Sequence, residues 1–219
     1  MGAWDRPNET LRLTSQSRRG TDLLKFLGLA ALGLIAAAAM APVALGADAS
    51  PYGGLAAPAP ASPLADWEVR GGLYAHDPLS PEAGSVDLNG ELVGPKLWQS
   101  SDPLWSLLIP RPDIGTTISL GGKTSNLWGG AAWNFDLTDR IFLSSTFGVG
   151  INNGKAGNVV PPGWNAVGCN WWFHESESLG YRLTQNWSVM ATIEHSSNAG
   201  LCHENRGLTN AGLRLGYRF

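Results

Sequence analysis

The residues with the clearest chemical potential are His195, Ser197 and Asn198, within the run Ile193-Glu194-His195-Ser196-Ser197-Asn198. A serine hydroxyl becomes a nucleophile only with a base in hydrogen-bond reach, and a histidine two residues away can be that base if both stand on one face of a strand. An amide such as Asn198, at the strand end, can offer a donor to the charge that develops on an ester oxygen. Parity supports the common face. The odd positions read Trp187, Val189, Ala191, Ile193, His195 and Ser197, and the even ones Ser188, Met190, Thr192, Glu194, Ser196 and Asn198. Alternate side chains of a strand lie on opposite faces, so an apolar face ends in an imidazole and a hydroxyl. Alone, His-x-Ser is a weak signal. A polar pair marking the edge of an apolar face is the plain alternative.

The rest of the chain must say what that face meets. The 219 residues include 28 Gly and 10 Trp, with charged residues at only 15%. This composition suits a Gly-bent sheet with interfacial aromatics better than a soluble enzyme. Arg18, Arg19 and Lys25 precede an uncharged run from Phe26 to Met40, and Ala44-Leu45-Gly46 gives a small-x-small cleavage pattern. Residues 1–46 therefore read as a secretory signal peptide, with an uncleaved anchor as the alternative. Cutting after Gly46 would remove five basic and three acidic residues, leaving 10 basic against 15 acidic and a net charge of −5. That balance gives no support to a nucleic-acid partner. Cys169 and Cys202 form an even pair, which in an exported chain suggests one disulfide.

Residues 47–65 are Pro/Ala-rich and read as a tether. From residue 66 onward the hydropathy period is two. Val69, Leu73 and Ala75 alternate with Glu68, Arg70, Tyr74 and His76, and Ala211, Leu213, Leu215 and Tyr217 alternate with Asn210, Gly212, Arg214 and Gly216. Seven segments of this kind, with a less tidy one at 170–182, predict eight strands and an all-β fold. Sandwiches and membrane barrels share such alternation. Three features favour an eight-stranded antiparallel transmembrane β-barrel over 66–219. The polar face carries full charges (Glu68, Arg70, Asp87, Glu91, Arg214, Arg218), as an ion-paired lumen would. The strands have membrane-crossing length, and the chain ends on an alternating strand with a terminal aromatic. Closure also removes the edge strands that lipid does not tolerate. Residues 98–112, with Pro103 and Pro110, read only as a long loop on the side of the tight turns.

On such a barrel, His195 stands nine residues beyond the turn at Asn186. At the usual strand rise and a tilt near 40° that is roughly 23 Å, against an apolar band of about 25 Å. His195 and Ser197 would then sit at the outer rim of the lipid-facing wall, level with the ester bonds of outer-leaflet lipids.

The run His195-Ser196-Ser197-Asn198-Ala199-Gly200-Leu201, with Asn205-Arg206-Gly207-Leu208 and Gly212-Leu213-Arg214-Leu215-Gly216-Tyr217-Arg218-Phe219, resembles the PagL-type lipid A 3-O-deacylase family, specifically from Phe173-His174-Glu175 onward. The resemblance implies an outer-membrane enzyme that removes a 3-O-linked acyl chain from lipid A of lipopolysaccharide. By similarity, His195 is the general base, Ser197 the nucleophile and Asn198 an oxyanion contributor. The family's acidic third member, fourteen positions after the histidine, is Thr209 here. A hydroxyl does not stabilise an imidazolium as a carboxylate does. Reflecting the hairpin about Thr184–Gln185 places residue 174 or 175 opposite His195, so Glu175 is the first substitute and Glu204 the second; an interior ion pair is the alternative for Glu175. The same reflection brings Cys169 near Cys202, so that the disulfide would staple two outer loops.

The reading is an outer-membrane serine esterase that calls for no metal or cofactor. Its partners would be lipid A and outer-membrane lipids, and a homodimer is compatible with it. Two rivals stand beside it: a non-catalytic barrel of the adhesion or envelope kind, in which Thr209 marks a lost site, and an outer-membrane phospholipase, whose larger relatives have twelve strands.

Overall fold

The computed structural model describes residues 65–219; the signal peptide read over 1–46 and all but the last residue of the tether lie outside the described residues. Eight antiparallel strands close into a barrel in which each pairs with its chain neighbours and the last pairs with the first. They are β1 (Glu68–Ala75), β2 (Val86–Val93), β3 (Arg111–Ser119), β4 (Asn126–Asp136), β5 (Ile141–Asn152), β6 (Trp171–Arg182), β7 (Trp187–Ser197) and β8 (Leu208–Arg218). The expected eight-stranded barrel is observed. β1 and β2, at 8 residues each, fall just short of the roughly 9–11 residues of a tilted membrane crossing.

The faces divide as the alternation requires. Leu73, Ile193 and Leu213 are 57%, 51% and 62% exposed on the outer wall, which only a lipid environment makes favourable for so many large apolar side chains. The charged set points inward and is almost wholly buried. Arg70 Nε donates to Glu68 Oε1 at 2.7 Å and its Nη1 to Ser144 Oγ at 3.0 Å, while Arg111 Nη1 reaches the other Glu68 oxygen at 2.9 Å. Glu91 lies between Arg70 and Arg214 and pairs with both. Glu68, Arg70, Glu91, Arg111 and Arg214 thus each have an opposite partner, the condition under which the desolvation cost is offset. Arg218 departs from the expected set: it is exposed at the barrel base, 3.8 Å from Asp66. Closure of the β1–β8 seam requires glycine. A Cβ on Gly212 would lie 2.1 Å from the Leu73 carbonyl oxygen and 2.4 Å from the Tyr74 ring.

Residues 98–112 are not merely a loop. Pro103–Leu108 form a helix, α1, capped by Asp102, whose Oδ1 accepts from the N–H groups of Leu104 (2.9 Å) and Trp105 (3.0 Å). Pro103 occupies the first turn, where no N–H is needed. Trp133 Nε1 donates to the Leu108 carbonyl at 2.9 Å, fastening the helix to β4. Trp98, Leu104, Trp105 and Leu108 stay exposed at this end, the composition of a membrane–water boundary. The alternation signal ignored this segment because a six-residue helix leaves no periodic trace. Arg111, which opens β3, points inward and donates to the carbonyls of Gly94 (2.7 Å) and Asp66 (2.6 Å).

At the opposite end the loops 76–85, 120–125, 153–170 and 198–207 are tied together. His76 lies between Asp87 (2.8 Å) and Glu82 (3.1 Å). Glu82 accepts from Thr124 N and Oγ1, each at 2.9 Å, and from Asn165 N at 2.8 Å. Val167, Trp172 and Leu208 form a small apolar cluster beneath. Cys169 and Cys202 are disulfide-bonded, 33 residues apart, and join the last two loops as the paired cysteines suggested.

Candidate functional site

His195 is on the outer wall, in the same parity set as the exposed Ala191 and Ile193. Ser197, of the same parity, is the final residue of β7 and only 4% exposed where the strand gives way to the loop. Across the sheet His195 faces Glu175 of β6 on one side and Thr209 of β8 on the other, and Ser197 faces Phe173. Glu175 therefore sits where the reflected register put it. The uncertain parity of β6 resolves with Trp172, His174, Ser176 and Ser178 inside and Phe173, Glu175 and Glu177 outside. An interior ion pair between Glu175 and Arg214 is excluded by that geometry. Arg214 points into the lumen, where it pairs with Glu91.

The imidazole orientation is the decisive local feature. His195 Nδ1 and Thr209 Oγ1 are 2.8 Å apart. Thr209, which stands at the position expected to be acidic, is thus in hydrogen-bond contact with the ring. With Nδ1 carrying the proton and donating to the threonine oxygen, Nε2 keeps its lone pair. Thr209 is itself located by Asp77, whose Oδ1 accepts the Thr209 N–H at 3.2 Å and whose Oδ2 accepts from Asn165 Nδ2 at 2.6 Å. Asp77 holds a left-handed backbone at φ 35° to do so. On the other side of the ring is Gly207. A Cβ there would lie 2.7 Å from His195 Cε1 and 3.0 Å from Nε2, so glycine gives the imidazole its seat.

Asn198 is placed differently from the expectation. Its Nδ2 donates to the carbonyls of Val167 (2.8 Å) and Glu204 (2.7 Å), and its Oδ1 accepts from Gly200 N (2.9 Å) and Cys202 N (3.4 Å). Both amide hydrogens are taken, so the side chain has no donor left for an oxyanion. It is wholly buried and binds loop 153–170 to loop 198–207, beside the disulfide that does the same. Glu204, the second substitute carboxylate, is exposed, and its backbone carbonyl rather than its side chain engages Asn198. Asn205 Oδ1 accepts the Asn198 N–H at 2.9 Å.

A second His–Ser pair lies in the lumen. His174 Nδ1 is 3.1 Å from Ser196 Oγ, and its ring stacks on Trp128 at 3.9 Å. Fully enclosed and wedged against an indole, this pair is packing, not a site open to an ester.

Among the residues that the sequence did not single out, Gly207 and Asp77 act only through contacts made across the fold. The one available signal was the polar Thr209 at an outward position of an otherwise apolar strand face.

Comparison with known proteins adds the following. The family model described as Lipid A 3-O-deacylase (PagL) matches residues 114–218, which bears out the resemblance and extends it upstream to β3. The crystal structure of the outer membrane enzyme PagL superimposes with a TM-score of 0.52 at 21% identity, covering 69% of this chain and 99% of that one. Neisserial surface protein A gives 0.47 at 12% identity, over 70% of this chain and 97% of that one. No curated protein matches the sequence.

Proposed function

We propose that the protein is a lipid A deacylase, since the family model described as Lipid A 3-O-deacylase (PagL) matches residues 114–218 and the strands close into an eight-stranded barrel. It acts as a serine esterase on a 3-O-linked acyl chain, with Ser197 as nucleophile, His195 as general base and Thr209 as the group that orients the base. The observation that carries this reading is the lipid-side imidazole with Nδ1 held by Thr209 at 2.8 Å, two residues from a serine of the same parity.

In this mechanism Ser197 Oγ attacks the ester carbonyl of an outer-leaflet chain as its proton passes to His195 Nε2. The imidazolium then returns that proton to the departing sugar oxygen, leaving an acyl-serine. A water, deprotonated in turn by His195, releases the fatty acid and restores the hydroxyl. Thr209 supplies a neutral acceptor where a carboxylate would add charge, so imidazolium stabilisation is weaker and the expected rate modest. Glu175, opposite His195 in the register and on the same outer face, is the second candidate to face the imidazolium.

A second reading, a non-catalytic barrel, draws support from two observations: the committed amide of Asn198 and the threonine at the acidic position. Mass spectrometry of lipid A from cells expressing the full chain separates the two. Loss of one 3-linked hydroxyacyl chain, abolished by Ser197→Ala, is the expected result. Lysophospholipid with intact lipid A would indicate a phospholipase instead. Unchanged lipids would leave the structural barrel, and removal of the chain by the Ser197→Ala protein would mean that the nucleophile is another residue.

A further inference from the structure

The outer end of the barrel carries cations that the fold does not neutralise. Loops 120–125 and 153–170 contain Lys123 and Lys155 and no carboxylate. In the other two outer loops, Asp77 and Glu82 are buried and engaged by Asn165. Among the described residues of these four loops, Glu204 is therefore the exposed acid, set against Lys123, Lys155 and Arg206. A chain with a formal net charge of −3 thus turns a positive face outward.

Two of these cations converge on one indole. Lys123 Nζ lies 4.9 Å and Lys155 Nζ 4.4 Å from the centre of the Trp164 ring. A turn closed by Trp164 N donating to the Pro161 carbonyl at 3.2 Å presents that ring, with Gly163 at φ 79°. Lys123 Nζ donates to the Gly163 carbonyl at 2.8 Å, and all three side chains are half-buried. An ammonium has three N–H donors. Lys123 uses one on Gly163, and among the described residues neither lysine has a carboxylate in reach. Two like charges drawn to one ring repel each other, and the indole supplies a quadrupole but no counter-charge. An anion rich in acceptor oxygens would complete the arrangement.

The backbone links this clamp to the candidate site. Lys155 bridges to Ala166, whose carbonyl accepts the Arg206 N–H at 3.0 Å, and Gly207 follows as the seat of the His195 ring. Lys155 and Arg206 are two strand spacings apart, within about 10 Å. The same segment is fixed on its other side by the Asn165 N–H on Glu82.

We infer that Lys123, Lys155 and Trp164 form an anion clamp for a phosphomonoester on the sugar headgroup of an outer-leaflet glycolipid, with Arg206 between the clamp and Ser197. A lipid phosphate is confined to the surface on which these loops stand, where juxtaposed basic residues attract anionic headgroups. The inference rests on the proposed function for the class of lipid alone, because the clamp binds whether or not Ser197 cleaves.

The test uses the full chain carrying Ser197→Ala, refolded in neutral detergent so that bound lipid stays intact. It is titrated with bisphosphorylated lipid A and with the same lipid after removal of its phosphates. The phosphorylated lipid is expected to bind at least about tenfold more tightly, a margin that shrinks below about threefold in Lys123→Gln/Lys155→Gln and returns in Lys123→Arg/Lys155→Arg, as charge-assisted contacts require. Equal affinity for the two lipids, or an undiminished margin in the glutamine pair, overturns the proposal. A margin lost equally in the glutamine and arginine pairs also overturns it, because the lysines would then hold the loops and not the phosphate. Inorganic phosphate is the third probe. If it binds as tightly as the phosphorylated lipid, the clamp is a free-anion site and the headgroup assignment fails. Acyl release is read separately with Ser197 intact: phosphate-dependent binding without release sinks the esterase reading and leaves the clamp standing.

Discussion

A single hydroxyl carries much of the argument at the residue scale. Thr209 Oγ1 holds His195 Nδ1 at 2.8 Å, and Gly207 leaves room for the ring on its other side. Thr209→Val keeps the shape and removes the acceptor. The expected consequence is a fall in kcat of roughly 10- to 100-fold with KM little changed, the scale of penalty for a misoriented catalytic group. Thr209→Ser, which restores an oxygen at the same place, should recover most of the rate. Steady-state kinetics on a short ester checks both, and equal losses in the two variants would show that the hydroxyl has no part in orienting the base. Glu175 stands opposite His195 as the hairpin reflection required, yet Thr209 holds the ring nitrogen. The sequence supplied the position of each candidate but not the rotamers that choose between them. Asn198 teaches the same lesson. An amide at a strand end can face a substrate or its own loops, and four hydrogen bonds place it with the loops.

At the scale of elements, the loops above the site behave as a clamped lid frame. The disulfide and Asn198 join the last two loops, and Glu82 joins the first three. His76 is the titrating part of that clamp. Burial alone would lower its pKa, but the hydrogen bonds and charges of Asp87 and Glu82 raise it to about 9. An unfolded histidine titrates near 6.5, so the charged His76 contributes its full stabilisation below about pH 6.5, and this is lost progressively as pH rises toward and through 9. Hydrogen exchange at the Thr124 and Asn165 amides, both bonded to Glu82, should therefore accelerate between those limits beyond the intrinsic base-catalysed increase. A His76→Asn variant should lose that excess pH dependence; if it keeps the wild-type profile, the clamp is not governed by this imidazole. Helix α1 shows the opposite case, an element decided by Asp102 and Pro103 as a local cap but too short for any periodicity to announce.

For the whole molecule, the lumen charges determine whether the barrel closes in one register. Glu91 sits between Arg70 and Arg214, with both guanidinium groups buried. Glu91→Ala would leave two cations sharing a dry interior. A loss of about 3–5 kcal/mol is expected, as when one partner of a buried pair is removed, read from the denaturant midpoint of refolding into vesicles. A midpoint within about 1 kcal/mol of wild type would show that lumen water screens these charges enough to make the pairing incidental.

Strand count, the inward and outward faces of the strands other than β6, the final alternating strand and the His195–Ser197 face all follow from sequence alone. A period of two is written residue by residue, and lipid on one side with a charged lumen on the other leaves it little freedom. What the tertiary structure alone decided is which atoms meet across strands far apart in the chain: Thr209 on the imidazole, Asp77 on Thr209, and Asn198 between two loops. Those meetings depend on strand tilt and inter-strand register, which arise only when the sheet closes on itself, and hydropathy along one strand carries no record of them.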